Sequence, residues 1–205
     1  MLKKGEILIL LFNAIYIFGF AIYYLLIGNY EFMIYIAVIA VIGLIIMINL
    51  RKTKLDYLAL WGLSIWGLLH MVGGGVRILG KTVYRLRLID IIDRGGDFYI
   101  LKMDQLIHFY GFAVAAIVVY QLLAPYFKNI EKSKLIVFAA WIGSMGLGAL
   151  NEVVEFIAFI SLSQTGVGDL YNTGLDLVFN LIGALAGAFL ARGWERKKTK
   201  NRNAV

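Results

Sequence analysis

Six apolar stretches, each long enough to cross a membrane as a helix, follow one another along the chain. Their bounds are 7–27, 32–50, 55–72, 104–127, 135–160 and 174–191. About 18 to 20 apolar residues span the hydrocarbon core of a bilayer, whereas a transmembrane barrel would show shorter segments of alternating polarity. Hydrophobic residues make up 61% of the chain. The sequence therefore predicts an all-α fold: a single polytopic transmembrane helix bundle of about six spans over residues 1–205.

The basic residues predict how this bundle is oriented. With six spans, the basic segments at 3–4, 51–54 and 128–134 fall on the same side as the basic C-terminal tail, 193–205. Segments rich in Lys and Arg remain in the cytoplasm. We therefore expect both termini in the cytoplasm of a multi-pass protein of the cell membrane, that is, the plasma or inner membrane. The net charge of +7 follows from these segments, so no nucleic-acid partner is expected.

The connection at 76–103 is long and falls on the external side. It carries six Lys or Arg residues, among them Arg85 and Arg87, against three Asp residues. Its apolar pattern mixes alternating and helical periods, so we expect an amphipathic element at the membrane interface and leave open whether it is a strand or a helix. The preceding span is expected to stop at the glycine run 73–75, because glycine favours the end of a helix.

A small set of ionisable and amide side chains lies inside or at the ends of the apolar stretches. They are His70, Asp104, His108, Glu152, Glu155, Asp176 and Asn180. An ionisable residue in a membrane segment costs ~2.5–3.5 kcal/mol on insertion scales, so such residues usually face the bundle interior and carry function. From the rise of about 1.5 Å per residue, His70, His108, Glu152 and Asp176 lie roughly 23 to 28 Å from the cytoplasmic ends of their spans. Four helices therefore bring ionisable groups to one level near the external face.

Helical periodicity places these polar side chains on the same faces as small residues. The stripes are Asp104, His108, Gly111 and Ala115; Ser144, Gly148, Glu152 and Glu155; and Asp176, Asn180, Gly183 and Gly187. Small residues let helices approach closely in a membrane, and Gly183 with Gly187 forms a GxxxG pair. We therefore expect the polar groups to lie on packed faces and to point toward one another.

Charge decides what else such a site needs. Asp104, Glu152, Glu155 and Asp176 can carry four negative charges, which repel strongly in a medium of low dielectric constant. Protons, a divalent metal ion or arginines of the 76–103 connection must compensate. A set of His and carboxylate ligands suits zinc, manganese or iron, whereas carboxylates with carbonyls suit magnesium or calcium. The absence of cysteine excludes thiolate ligands and disulfides.

Structural explanations compete with these functional ones. His70 can be a hydrogen-bonded packing residue, and Asp104 and Asp176 can be helix-start acids, which the helix dipole favours. Asn172 is interpreted as a loop residue. Glu152 and its neighbour Glu155 are the hardest to explain by packing, because acids in adjacent turns of a membrane segment have a high energetic cost.

Four motifs resemble, in order and spacing, those of the YjdF-like family of multi-spanning bacterial inner-membrane proteins. They are LHMVGGG at 69–75, MDQLIHFYGF at 103–112, ALNEVVEF at 149–156 and YNTGLDLVFNLIGALAG at 171–187. The last three also resemble the VanZ-like family, whose pattern is Asp-x-x-x-His-Phe, Glu-x-x-Gln and Asp-x-x-x-Asn before Gly-x-x-x-Gly. The resemblance covers residues 65–190 and marks the seven residues named above. It implies no reaction, since VanZ-like proteins are linked to glycopeptide tolerance by an unknown route.

Three positions depart from these family patterns. Glu155 stands where VanZ-like proteins have Gln, Gln105 where a basic residue is usual, and Asn172 where YjdF-like proteins have Asp. These departures change the charge expected at the site.

Our preferred hypothesis is an external, membrane-embedded site that acts on an amphiphilic lipid-linked or phosphate-bearing substrate by metal-assisted or acid/base chemistry. The expected catalytic residues are Glu152, Glu155, His70 and Asp176. The expected metal ligands are Asp104, His108, Glu152 and Asp176, for a divalent ion whose identity is left open. The expected substrate-binding residues are Arg85, Arg87 and Asn180. The alternatives are a non-catalytic membrane scaffold with a structural polar cluster, and a transporter coupled to cations or protons.

Overall fold

A computed structural model of the protein describes residues 2–90, 101–130, 132–162, 165–166 and 168–202. The described part forms six long helices: α1 Lys4–Ile27, α2 Tyr30–Thr53, α3 Tyr57–Gly75, α4 Met103–Leu123, α5 Lys134–Ser161 and α6 Leu170–Arg202. By length and composition, six helices, with the fourth counted through Tyr126, are able to cross a membrane. The prediction of an all-α six-span bundle is confirmed.

Side-chain caps fix where several of these helices begin. The side chain of Asn29 accepts a hydrogen bond from the backbone N–H of Phe32, and Asp56 does the same for Ala59. Ser133 caps the start of α5 in the same way. Such caps satisfy backbone donors that have no partner within the helix, so they set the turns between the apolar stretches.

The third helix ends at the glycine run as predicted, since α3 includes all three glycines and its last residue is Gly75. The three glycines lie against large rings: a Cβ atom at Gly73 would meet Tyr84, and one at Gly74 would meet Phe32. One at Gly75 would meet Tyr24. The run therefore provides room for aromatic side chains and does not break the helix early.

The connection at 76–103 combines several short elements. Strand β1, Arg77–Ile78, pairs with strand β2, Lys81–Thr82, and a short 3₁₀ helix follows at Val83–Arg85. The next residues then pair with the segment before α4, through a bridge between Arg87 and Lys102. This pairing brings the basic connection to the N-terminal end of α4. The predicted interfacial element also contains Asp93, Arg94 and Asp97, which lie outside the described residues.

Close packing of α4 against α6 depends on the predicted GxxxG pair. A Cβ atom at Gly183 would meet the backbone of Phe109, and one at Gly187 would meet that of Ala113. The third helix of this group, α5, is joined to α4 by Ser144, whose hydroxyl donates to the Phe112 carbonyl at 2.7 Å. Helices α4, α5 and α6 therefore form a tight unit.

The C-terminal basic segment, predicted as a tail from residue 193, continues α6 to Arg202. It docks on Asp56, which accepts hydrogen bonds from Trp194 Nε1 at 3.0 Å and Lys198 Nζ at 2.8 Å. Gln121 of α4 donates to the same carboxylate at 2.8 Å. One acid therefore joins the starts or ends of α3, α4 and α6 at the end of the bundle predicted to be cytoplasmic.

Candidate functional site

Helices α4, α5 and α6 bring most of the predicted site residues together at the opposite end of the bundle. Asp104 and His108 lie in the first turns of α4, and Asp176 and Asn180 lie near the start of α6. Helix α5 runs antiparallel to both and contributes its acids from late in its length. The polar cluster consists of Asp104, His108, Glu152, Glu155, Asp176 and Asn180, and its carboxylates and imidazole form two overlapping groups.

His108 is at the centre of this cluster. Its Nδ1 atom lies 3.0 Å from Asn180 Oδ1 and 3.9 Å from Glu152 Oε1. Its Nε2 atom lies 3.7 Å from Asp104 Oδ1. Since the Asn180 oxygen can only accept, the 3.0 Å hydrogen bond places a proton on Nδ1. In the neutral imidazole, Nε2 is then an acceptor or metal ligand that faces Asp104.

Glu152 is buried and has no hydrogen bond of standard geometry within the described part of the chain. Its side chain is 9% exposed, and the amides of Asn151 and Asn180 interact with its carboxylate without meeting that geometry. Glu155, by contrast, accepts a hydrogen bond from Asn151 at 2.9 Å. A buried polar atom without a partner is rare in folded proteins and often marks a site for a proton, ion or ligand.

Asp176 is satisfied by two amides. It is 1% exposed, and its Oδ1 accepts from Gln105 Nε2 at 3.3 Å while its Oδ2 accepts from Asn172 Nδ2 at 2.6 Å. Asn172 Nδ2 also reaches Asp104 Oδ2 at 3.3 Å. The two acids are therefore linked through one amide that lies between α4 and α6.

Asn172 and Lys102 are site residues that sequence reasoning missed. The assignment of Asn172 to a loop was wrong, because α6 begins at Leu170 and not at Gly174. Lys102 Nζ donates to Asn172 Oδ1 at 2.8 Å and thus brings a positive charge to the rim of the polar cluster. The spacing of four residues from Asn172 to Asp176, repeated to Asn180, was the available signal.

His70 lies among aromatic rings. The ring centroids of Phe32, Tyr35 and Tyr84 lie 5.8, 5.2 and 5.7 Å from that of His70, and Tyr84 is hydrogen-bonded to Nδ1 of the imidazole. Burial raises the pKa of Tyr84 well above its usual value, and the charges of Asp104 and Glu155 act in the same direction. The Tyr84 hydroxyl therefore stays protonated and donates a hydrogen bond to His70. This contact fits a packing role, while the predicted catalytic role stays a prediction.

Glu31 is another buried acid, and it was not among the candidates from the sequence. It lies in the first turn of α2, accepts from Tyr35 OH at 3.2 Å and accepts from the backbone N–H of Gly166 at 2.5 Å. Through this carboxylate, α2 holds a described part of the connection between α5 and α6. Its position as the acid just before the second span was the signal in the sequence.

The two predicted head-group arginines lie outside the polar cluster, in the connection that precedes α4. Arg85 is exposed, and Arg87 NH1 lies 4.0 Å from Asp90 Oδ1. Because Arg87 is bridged to Lys102, these cations are held close to the start of α4. Their predicted role in binding an anionic substrate stays a prediction.

Among the residues that the structure describes, two groups of side chains have the composition and spacing to hold a metal ion. One is Asp104, His108 and Asp176, and the other is His108, Glu152 and Glu155. Within each group the possible ligand atoms all lie within 4.8 Å of one another. Imidazole with carboxylates is a ligand set typical of zinc and related transition metals.

Comparison with known proteins supplies the family. No curated protein and no solved structure shows a significant match to the chain. A family model described as "Predicted membrane protein (DUF2238)" matches residues 8–197, which includes every residue of the polar cluster. The protein therefore belongs to this family of membrane proteins, the same family as the YjdF-like proteins that its motifs resemble.

Proposed function

We propose that the protein is a membrane-embedded enzyme whose polar cluster acts on an amphiphilic lipid that bears a phosphate or a phosphate-linked glycan. The observation that carries this proposal is the Glu152 carboxylate, which is buried, lacks a hydrogen bond from the described residues and lies 3.9 Å from His108. Structural acids in a protein interior are hydrogen-bonded. An acid kept without such bonds has both oxygens available for proton transfer.

The proposed reaction is hydrolysis at phosphorus, with the acids of α5 as proton carriers. A water molecule gives a proton to Glu152 while its oxygen bonds to phosphorus. The bond from phosphorus to the lipid oxygen breaks, and that oxygen takes a proton from Glu155. Asn180 is fully buried, and its Nδ2 has no acceptor among the described residues, so this amide is available to donate to a phosphate oxygen.

The substrate class follows from charge and surroundings. Lys102 lies at the rim of the polar cluster, and the basic Arg85 and Arg87 precede it in the paired segment. These cations favour an anionic head group. Apolar side chains such as Phe156 and Ile160 are exposed on the same half of α5, which suits a substrate that arrives from the bilayer.

The test is turnover of lipid phosphates by the full-length protein in proteoliposomes, followed by mass spectrometry of the products. We expect Glu152→Gln to lower the rate by about 100-fold or more, because general acid/base groups contribute roughly 10²- to 10⁴-fold. Asp56→Asn, at the other end of the bundle, is the matched control and keeps the rate. A wild-type rate in Glu152→Gln would remove this function.

A second candidate function is a non-catalytic scaffold whose polar cluster fixes the arrangement of the helices. The observation in its favour is that the amides of Gln105 and Asn172 cross-link α4 to α6 through Asp176. A scaffold predicts that Gln105→Leu lowers thermal stability, while no lipid phosphate turns over in the wild-type protein. Measured turnover that depends on Glu152 would exclude this second function.

We extend the proposal to the related families of the protein and to its orientation in the membrane. We place it near the VanZ-like family on its last three motifs, and in the plasma or inner membrane with both termini in the cytoplasm on its basic segments. Leu79, at the turn between β1 and β2, is 96% exposed and offers a position for an epitope. Labelling of that epitope from outside intact cells supports this orientation, and labelling only after lysis contradicts it.

A further inference from the structure

We propose that Asp104, Asp176 and the Nε2 atom of His108 bind one divalent transition-metal ion. The inference deepens the proposed function and rests on it for the role of Glu152 as the base for the attacking water. The ion-binding site itself is argued from the positions of the side chains.

Distances make this set of ligands suitable. Two donors of one tetrahedral ion, each at about 2.1 Å, lie about 3.4 Å apart. Asp104 Oδ1 and His108 Nε2 are 3.7 Å apart, and the possible ligand atoms of the whole group lie within 4.8 Å of one another. Small side-chain rotations therefore bring the three donors to bonding distance, because Asp104 and His108 lie one turn apart on α4.

The proton of His108 selects this group over the one formed with Glu152 and Glu155. Glu152 of α5 faces Nδ1, which holds its proton against Asn180 Oδ1 at 3.0 Å. A protonated nitrogen cannot bind a metal. Nε2 faces Asp104, and its lone pair is available in this tautomer. In a metal-bound histidine, the ring nitrogen that does not bind the metal usually donates a hydrogen bond, as Nδ1 does here.

The carboxylate ligands are oriented in a corresponding way. Asn172 Nδ2 donates to Asp104 Oδ2 and to Asp176 Oδ2, which leaves Oδ1 of Asp104 directed at His108. Gln105 Nε2 holds the other oxygen of Asp176 at 3.3 Å. Hydrogen bonds to ligating carboxylates fix their geometry and raise the affinity for the ion.

Glu152 and Asn180 provide an independent sign that something binds here. The Glu152 side chain is more than nine-tenths buried, with neither oxygen hydrogen-bonded to a described residue, and it faces His108. Asn180 is fully buried and its Nδ2 lacks an acceptor in the same part of the chain. A water molecule or ligand bound beside His108 would donate a hydrogen bond to Glu152 and accept one from Asn180, so both buried groups gain a partner.

Charge favours a cation over further protein contacts. Asp104, Asp176, Glu152 and Glu155 belong to one cluster, and a cation at its rim, Lys102, is bonded to the intervening amide of Asn172. Like charges this close in a medium of low dielectric constant need compensation. An ion with imidazole among its ligands is a transition metal, since Mg²⁺ prefers oxygen donors in octahedral geometry.

The experiment measures ion binding by purified full-length protein after treatment with a chelator. Zn²⁺, Mn²⁺ and Mg²⁺ are added separately, and the bound ions are counted by elemental analysis while thermal unfolding is followed. We expect one Zn²⁺ or Mn²⁺ per chain with a rise in Tm, and no such rise with Mg²⁺ at equal concentration. Asp104→Asn and Asp176→Asn should each weaken binding by about 10-fold or more.

Two matched variants identify the ligand group. Glu155 belongs to the other group, so Glu155→Gln should weaken ion binding much less than Asp104→Asn does. Asp90 is an exposed acid outside the polar cluster, and Asp90→Asn should bind the ion as the wild type does. Thermal unfolding without metal verifies that every variant is folded. Loss of binding in Glu155→Gln with normal binding in Asp104→Asn would overturn the assignment, and so would a wild-type protein that holds no ion.

Failure of the metal site and failure of the proposed function remain distinguishable. Lipid turnover by metal-free protein, lost in Glu152→Gln, would keep the enzyme and remove the ion. Stoichiometric binding of Zn²⁺ or Mn²⁺ that depends on Asp104, without turnover of any lipid phosphate, would keep the ion and remove the enzyme.

Discussion

At the residue scale, Glu152 and Asp176 show two ways to bury a carboxylate. Asp176 receives hydrogen bonds from two amides, whereas Glu152 receives none from the described residues. A buried polar atom without a partner costs about 1–3 kcal/mol, and a protein retains it only where another requirement outweighs stability. The two acids therefore differ in what their removal does to the fold.

Glu152→Met should stabilise the metal-free protein by ~1 kcal/mol or more, because an apolar side chain of similar length removes the unsatisfied group. Asp176→Ala should destabilise it by ~2 kcal/mol, because the amides of Gln105 and Asn172 lose their acceptor. Thermal or denaturant unfolding in micelles measures both. A loss of stability in Glu152→Met would show that this carboxylate holds the bundle together.

At the element scale, the contact between α4 and α6 sets the distance between His108 and Asp176. Gly183 and Gly187 place α6 directly on the backbone of Phe109 and Ala113, about two and three turns along α6 from Asp176. Two groups on facing helices hold their spacing only if the axes do not separate. The small-residue stripe is therefore part of what builds the site.

Gly187→Ala and Gly183→Ala should each destabilise the protein by roughly 1–3 kcal/mol, since the added methyl group overlaps backbone atoms that cannot move aside. Gly146→Ala in α5 is the matched control: beyond the helix's own backbone, no described residue lies within 4 Å of its added Cβ, and alanine favours a helix by up to ~1 kcal/mol. Unfolding curves compare the three variants. Equal stability in all of them would mean that the helices are not in close contact here.

The elements were largely predictable, and the exceptions have physical causes. Hydrophobic length alone located the six helices, and helical periodicity placed Asp104, His108, Asp176 and Asn180 on packed faces. The glycine run located the end of α3, but its close contacts with aromatic rings were not predicted, because only the fold shows that Tyr84 and Phe32 fill the space. The early start of α6 was missed because the polar residues Asn172 and Thr173 lower the hydropathy of a helix end that extends beyond the apolar stretch.

At the scale of the whole molecule, two polar clusters lie at opposite ends of an apolar bundle. Helix α4 carries Asp104 at one end and Gln121 at the other, roughly 25 Å away along the axis. Helix α6 likewise carries Asp176 near one end and Lys198 near the other, and the Lys198 ammonium forms an ion pair with Asp56. The charge pattern predicted the sides of the membrane but not this docking, because the partner of Lys198 is distant in sequence and is defined only by the packed helices.

The docking of α6 on Asp56 should depend on pH. Burial acts to raise the pKa of Asp56, but hydrogen bonds from Lys198, Gln121, Ala59 and Trp194 outweigh it and lower the pKa from 3.8 to about 2. A folded-state pKa below the unfolded one stabilises the protein fully above about pH 4, and this contribution is lost as the pH falls toward 2. The carboxylate is partly exposed, so screening limits the contribution to ~1 kcal/mol.

Asp56→Asn is the variant that isolates this charge, because asparagine still caps the start of α3. We expect the wild type to be the more stable protein at pH 6, with the difference in free energy of unfolding closing between pH 4 and pH 2. The fluorescence of Trp194, identified by comparison with Trp194→Phe, should report loss of its hydrogen bond to Asp56 over the same interval. A difference that stays constant with pH would mean that the neutral hydrogen bonds alone hold the end of α6 in place.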